Sequence, residues 1–206
     1  MNKKKGFVIL EAFLVMIVLQ GLRALGEWLL RPYVSESILG RKMCTMSLML
    51  ILTGVLVIYV GLRKQEFSLC PERFTRPYWV VTVIVLLIYI SCPSNFTQGI
   101  PAILTLLYGS IVTPVYEELL FRGYFWNRFE SVMEKEISVY AWNVGLFTLW
   151  HLGYMMEHVM TGNWNAALWK LAAGLGYALI LGAIRLKTKN CYSTILLHGV
   201  MNVFMI

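Results

Sequence analysis

The feature that most constrains this chain is a set of long apolar runs without charge. No charged side chain occurs between Arg76 and Glu117, and the whole chain is 58% hydrophobic but only 14% charged. Soluble domains carry about a quarter charged residues, and so few charges cannot cover this much apolar surface in water. The runs therefore predict segments that lie in a lipid bilayer.

The apolar runs have the length of membrane-spanning helices. A span needs about 20 mainly apolar residues, and its backbone groups must pair within the segment. Apolar residues come in runs and do not alternate, which excludes a membrane β-barrel. We predict an all-α, polytopic bundle of about seven transmembrane helices. The spans cover residues 6–30, 43–62, 77–91, a fourth starting at 100, 137–156, 165–184 and 191–206, with a turn at 92–95 and Gly99.

The basic residues are distributed as membrane topology requires. With the N-terminus in the cytoplasm, the inner segments hold twelve lysines and arginines, whereas the outer segments hold only Arg31, Arg41 and Lys42. This asymmetry follows the positive-inside rule. The net charge of +7 is thus a topology signal, and we expect no nucleic-acid partner. Residues 1–206 are expected to form a single domain of an integral multi-pass protein in the cell membrane.

Three stretches within the predicted spans contain notable ionisable or strongly polar side chains. Each ionisable side chain costs about 2.5–3.5 kcal/mol at the bilayer centre. Because three distant stretches carry this cost, we predict that they meet at one cavity inside the membrane. The residues are Glu117, Glu118 and Arg122 on the fourth span, His151 on the fifth, and His198 and Asn202 on the seventh.

The spacing of these residues predicts local pairs. Glu118 and Arg122 are one helical turn apart and can form an ion pair. Glu117 lies about 100° round the axis, so it must hold a proton or find a partner on another helix. His198 and Asn202 share one helix face. As an alternative, these groups only stabilise the helices or hydrogen-bond between them.

Two further features of the fourth span allow predictions. Pro114 lacks an N–H and frees the carbonyl of Ser110, so it either bends the helix or is a tolerated membrane proline. An aromatic cluster follows Arg122, and we expect it to form an interfacial belt. The cluster consists of Tyr124, Phe125, Trp126 and Phe129.

Three motifs in this order resemble the CPBP family, also called Abi. They are Glu-Glu-x-x-x-Arg at 117–122, Phe-x-x-x-His at 147–151 and His-x-x-x-Asn at 198–202. That family groups type II CAAX prenyl endopeptidases with bacteriocin-processing and immunity proteins. The resemblance covers a catalytic core at 100–206, and the spans in 1–99 carry no family signature. It implies a helical intramembrane peptidase whose conical cavity opens toward the cytoplasmic side and the bilayer.

The resemblance also implies a role for each polar residue. In an alternative scheme, Glu117, His151 and His198 bind a divalent metal such as zinc, although the HExxH arrangement is absent and no metal is established. The metal-free roles are water activation by Glu117 and His151, oxyanion stabilisation by His198 and Asn202, and support by Glu118 and Arg122.

The expected function is an endopeptidase that hydrolyses a membrane-associated or lipidated peptide. The alternative is a non-catalytic bacteriocin-immunity or signalling membrane protein of the same fold. Transport is a third hypothesis, since buried carboxylates and histidines also relay protons. It is less favoured because the sequence has no internal symmetry or paired broken helices. The expected partners are the bilayer and the peptide substrate.

Overall fold

The computed structural model describes residues 3–91 and 99–205, and in these ranges it contains helices and no strands. The predicted all-α class is confirmed. The predicted turn at 92–95 lies outside the described residues. The helices are α1 (Lys3–Leu30), α2 (Ile38–Leu62), α3 (Arg76–Ser91), α4 (Ile100–Glu130), α5 (Glu136–Trp150), α6 (Leu152–Met160), α7 (Trp164–Thr188) and α8 (Cys191–Met205).

The long helices have the properties of membrane spans. Four of them, α1, α2, α4 and α7, are long and apolar enough to cross a membrane, and α3 and α8 are shorter apolar helices. Large apolar side chains such as Ile51 and Leu87 are more than half exposed on their outer faces, as expected for contact with lipid. The protein is an integral, multi-pass membrane protein.

The fifth predicted span differs most from its prediction. In place of one helix over 137–156, α5 ends at Trp150, and α6 begins at Leu152 after a turn at His151. The carbonyl of Trp150 accepts a hydrogen bond from the Gln20 side chain of α1, at 3.0 Å. Because the freed carbonyl is satisfied by another helix, the break costs little inside the membrane. It leaves His151 at a helix junction.

Helix α4 is widened on both sides of its two adjacent carboxylates. Tyr108–Val112 and Leu119–Phe125 are π-helical, and the α-helical turn Thr113–Glu118 lies between them. Pro114 removes one backbone donor, and the Ser110 carbonyl accepts instead from the Tyr89 hydroxyl at 3.2 Å. Such widened turns are frequent at functional sites.

The aromatic cluster of α4 lies in the core, so the prediction of an interfacial belt is wrong. All four side chains are at most 1% exposed, and they pack among α1, α2 and α5. The reason is that α4 lies inside the bundle and turns its aromatic half toward other helices. The buried side chains are Tyr124, Phe125, Trp126 and Phe129.

A buried carboxylate ties α1, α2 and α4 together at the end that carries the basic segments. Glu11 accepts hydrogen bonds from Arg63 at 2.7 Å, from Tyr124 at 2.8 Å and from Tyr59 at 3.2 Å, and it forms an ion pair with Arg128. These groups fill the interior at this end. We refer to it below as the basic end.

Candidate active site

Glu117 is buried and is held by the fifth predicted span. Its Oε1 accepts hydrogen bonds from Trp150 Nε1 at 3.0 Å and from the Tyr154 hydroxyl at 2.8 Å. Glu117 cannot share the ion pair of its neighbour Glu118, so it needs partners on another segment, and Trp150 and Tyr154 are these partners. Its Oε2 lies 3.9 Å from His198 Nε2. One carboxylate oxygen is thus fixed by the protein, and the other faces the histidine.

Glu118 is fully buried, and its Oε1 has two donors. Arg122 lies 3.2 Å from this oxygen, as their spacing in the sequence allows, and His198 Nδ1 lies 2.8 Å from it. The Arg122 guanidinium also donates to the Ala178 carbonyl, and it lies 4.1 Å from the centre of the Phe147 ring. The ion pair therefore lies behind the His198 ring and fixes its orientation.

His151 lies at the junction of α5 and α6. Its Nδ1 is 2.9 Å from the Phe147 carbonyl oxygen. Because a carbonyl only accepts, Nδ1 carries the proton, and Nε2 keeps a lone pair. Helix α7 packs closely here, since a Cβ added at Gly174 would lie 2.6 Å from His151 Cγ. The ring position thus depends on a glycine of the neighbouring helix.

His198 and Asn202 lie one turn apart on α8. Asn202 Nδ2 donates to the Gly109 carbonyl at 2.6 Å, which leaves its second N–H available. Gly199, between them, lets α8 approach α4, because a Cβ there would overlap the Tyr89 hydroxyl and the Ser110 carbonyl oxygen. The π-helical turn Tyr108–Val112 of α4 is thus the surface that positions His198 and Asn202.

A single cavity of about 460 Å³ brings these side chains together. Glu117, His151, His198 and Asn202 all line it. Glu118 and Arg122 do not line it and contact it only through His198. Four of the six predicted site residues therefore share one cavity, and the other two lie behind it.

The cavity opens away from the basic end. Its outer lining includes Lys42 at the start of α2, Thr105 in the first half of α4, and Trp169 and Lys170 in the first half of α7. The resemblance implies a cavity open toward the cytoplasmic side, whereas the predicted positive-inside orientation would put this mouth on the other side, so the two sequence-based predictions disagree. Buried aromatic side chains and the Glu11 network fill the basic end and leave the cavity open at the opposite end.

The side chains that hold Glu117 are not among the residues predicted from the sequence. Tyr154 donates to it, and the guanidinium of Arg23 on α1 lies 4.6 Å from the centre of the Tyr154 ring. Arg23 also contacts Gln20 at 2.9 Å and Glu27 at 3.4 Å. A charged residue near the end of an apolar run usually reaches the membrane interface, but Arg23 is only 7% exposed. The sequence signal that could have indicated this supporting contact was an arginine within an apolar span.

The proposed metal ligands have suitable atoms but are not grouped as a metal site. His151 and His198 both line the cavity, and each has Nδ1 against a protein acceptor, an arrangement common around zinc. Within the described ranges, however, no three His, Cys, Asp or Glu side chains are placed to hold a metal ion. In this arrangement the residues do not fit a zinc site.

The fold and site define a class of polytopic membrane protein with a carboxylate, two histidines and an amide around a buried cavity. Residues 99–204 match the family model described as Type II CAAX prenyl endopeptidase Rce1-like. No curated protein and no solved structure matches the chain significantly. The chain belongs to the Rce1-like type II CAAX prenyl endopeptidase family, which is a family of peptidases embedded in membranes.

Proposed function

We propose that this protein is an intramembrane endopeptidase that hydrolyses a membrane-associated or lipidated peptide. The observation that carries the proposal is the shared cavity of Glu117, His151, His198 and Asn202. Peptide hydrolysis needs an activated water and donors for the developing oxyanion. These four side chains supply both kinds of group.

Glu117 and His151 activate the water. Glu117 Oε1 is occupied by Trp150 and Tyr154, so Oε2 is the oxygen available to accept from water. His151 Nε2 has a lone pair because Nδ1 faces a carbonyl. The water oxygen attacks the peptide carbonyl carbon while one of its protons passes to this pair. The same pair then returns a proton to the leaving amine when the C–N bond breaks.

Asn202 and His198 stabilise the oxyanion. Asn202 has one amide hydrogen on Gly109 and a second available for the cavity. His198 donates from Nε2 when that nitrogen is protonated, and its other nitrogen is fixed on Glu118. Glu118 and Arg122 act through His198 and are positioning residues. Removing one oxyanion donor typically costs about 100- to 1000-fold in rate.

Zinc bound by Glu117, His151 and His198 is the alternative that the resemblance implies, but these side chains are not grouped to hold a metal ion in the described ranges, so the metal-free form is the one proposed. Zinc bound there would supply a Lewis acid. No step above uses a metal. Metal analysis of the purified protein distinguishes the forms: about one zinc per chain, lost in His151→Ala, would support the metal form.

Peptide cleavage by the purified full chain in liposomes tests the proposal. Glu117→Gln and His151→Ala should each lower kcat by about 100- to 10,000-fold, the usual contribution of a general base. Glu130→Gln and His158→Ala are matched controls, because neither residue lines the cavity, and both should cleave like the parent. Parental rates in Glu117→Gln and His151→Ala would contradict the proposal.

A further inference from the structure

The cavity contains a tyrosine hydroxyl that has no role in the mechanism described above. Tyr177 of α7 lines the cavity together with Glu117, His198 and Asn202. Its hydroxyl has no hydrogen-bond partner within residues 3–91 and 99–205. The side chain is partly buried, and its oxygen is not among the fully enclosed polar atoms. The hydroxyl is therefore free to bind a molecule in the cavity.

The Tyr177 ring is held against the His198 ring. The two ring centroids are 5.2 Å apart, and the planes meet at 73°, an edge-to-face arrangement. The carbonyl of the next residue, Ala178, accepts a hydrogen bond from Arg122 at 3.4 Å. Arg122 is also the partner of Glu118 behind His198. The phenol is thus positioned by the same group of side chains that orients His198.

Helix α7 presents one face to the cavity, and Tyr177 is the last cavity-lining residue of that face. Lys170, Ala173, Gly174 and Tyr177 all line the cavity, and their spacing places them on one side of a helix. Gly174 lies against His151, and Tyr177 follows it by one turn. This face therefore passes His151 before it reaches His198.

The neutral site lacks a second donor for an oxyanion. His198 Nδ1 lies 2.8 Å from Glu118 Oε1, a carboxylate oxygen that also accepts from Arg122. Because this oxygen is an acceptor, Nδ1 carries the proton of a neutral ring, and Nε2 then has a lone pair and cannot donate. Asn202 supplies one free N–H. Sites that stabilise an oxyanion use several donors aimed at one point.

Tyr177 is suitably placed to supply the missing donor. Two aromatic rings in the described part of the chain pack against His198, those of Phe147 and Tyr177. Only the tyrosine has a polar atom. Another cavity tyrosine, Tyr154, already donates its hydroxyl to Glu117 at 2.8 Å. The Tyr177 hydroxyl is therefore an available donor beside the histidine.

We infer that Tyr177 is a further catalytic residue, whose hydroxyl donates a hydrogen bond to the carbonyl oxygen of the scissile peptide bond. This hydrogen bond strengthens as negative charge develops on the oxygen during attack by water. The phenol keeps its proton, and no bond to the tyrosine forms or breaks. The inference rests on the proposed endopeptidase function and deepens it. It adds a donor from α7, a helix that contains none of the three sequence motifs.

Tyr177→Phe in the full chain in liposomes tests this role. The substitution removes the hydroxyl and keeps the ring that packs on His198, so a residue that only packs there would show no change. We expect kcat to fall about 100-fold, as for the loss of one oxyanion donor, and KM to stay close to that of the parent.

Tyr140→Phe is the matched control. Its hydroxyl donates to the Leu179 carbonyl of the same helix α7 at 3.1 Å, and the residue does not line the cavity. The variant loses the same chemical group from a neighbouring position, and it should cleave the peptide at the parental rate. An equal fall in kcat for Tyr140→Phe and Tyr177→Phe would overturn the inference.

Binding of a phosphinate analogue of the peptide gives an independent measurement. The phosphinate replaces the scissile amide by a tetrahedral anion, and such analogues report on groups that bind the transition state. Tyr177→Phe should weaken phosphinate binding by about the same factor as it lowers kcat/KM. A rise in KM that matches the loss of phosphinate affinity, with kcat unchanged, would overturn the inference, because the hydroxyl would then bind the ground state.

Asn202→Ala separates failure of this inference from failure of the proposed function. Slow cleavage by Asn202→Ala together with parental cleavage by Tyr177→Phe would overturn only the role of the tyrosine. Absence of cleavage by the parent would contradict the proposed function itself, and the inference with it. Slow cleavage by both variants, with parental KM values, is the result that we expect.

Discussion

Residues 3–91 and 99–205 are built from the same kind of apolar helix, but their buried polar groups differ in purpose. In the first region, Glu11 and Arg23 contact side chains of their own helix and of neighbouring helices, and neither lines the cavity. In the second region, Glu117, His151 and His198 face one cavity. A costly buried charge is thus by itself no evidence of a catalytic group. Whether such a charge is a catalytic group depends on its partners and on its access to a cavity.

The two regions meet at Glu117. Tyr154 of the second region donates to Glu117, and Arg23 of the first region lies over the Tyr154 ring. Gln20 of the first region also donates to the Trp150 carbonyl beside His151. Helix α1 therefore supports the site from outside the family match. Four substitutions compare structural support with catalysis, in order of decreasing effect.

Arg122→Met should give the largest loss of stability. It leaves the fully buried Glu118 without its cation, and breaking a buried ion pair typically costs about 3–5 kcal/mol. Denaturant unfolding in detergent micelles measures the change, and peptide cleavage should be lost as His198 loses its orientation. A free energy of unfolding within about 1 kcal/mol of the parent would show that the pair does not stabilise the core.

Gly174→Ala should damage catalysis more than stability. The added Cβ would lie 2.6 Å from His151 Cγ and displace the ring, and a misplacement of about 1 Å can cost roughly 100-fold in rate. Gly176→Ala is the matched control on the same helix, because nothing lies within 4 Å of its added Cβ. Equal cleavage rates for the two variants would contradict the assigned role of the His151 position.

Glu11→Gln should reduce stability more than catalysis, which is the reverse of the pattern expected for Gly174→Ala. It weakens the charge-assisted contacts to Arg63 and Arg128, and we expect a loss of about 2 kcal/mol in the free energy of unfolding. The kcat of the folded fraction should stay close to that of the parent, because Glu11 does not line the cavity. A selective loss of kcat with unchanged stability would remove the distinction between the two regions.

Arg23→Met should have the smallest effect of the four, roughly a tenfold fall in kcat. The cation over the Tyr154 ring is lost, and a cation–π contact of this kind is worth about 2 kcal/mol when desolvated. Tyr154→Phe removes the hydroxyl that Arg23 supports, so the double variant should lose little more than the larger single effect. Additive losses would show that Arg23 does not act through Tyr154.

Much of the fold was predictable because membrane spans are encoded in long apolar runs. The predicted starts and ends agree with the helices to within a few residues, apart from the break at His151. That break depends on Gln20, which contacts Trp150 from far away in the chain. A long-range hydrogen bond of this kind leaves no local pattern in the sequence.

The candidate site was predictable in its members but not in its arrangement. The spacing of Glu118 and Arg122 predicts their ion pair, which the structure contains. The donors to Glu117, Trp150 and Tyr154, are aromatic residues with the same local appearance as lipid-facing ones. The direction of the cavity depends on whether the aromatic half of α4 packs against other helices or faces lipid, and the apolar pattern alone does not distinguish these two environments.

The most direct test of the central claim is a single-turnover cleavage in ¹⁸O-labelled water, comparing Glu117→Gln and Glu11→Gln with the parent. We predict that the parent and the folded Glu11→Gln variant transfer ¹⁸O to the new carboxyl end at similar rates. Glu117→Gln should form this labelled product at least about 100-fold more slowly. Labelled product from Glu117→Gln at the parental rate would contradict the claim that this carboxylate activates the water.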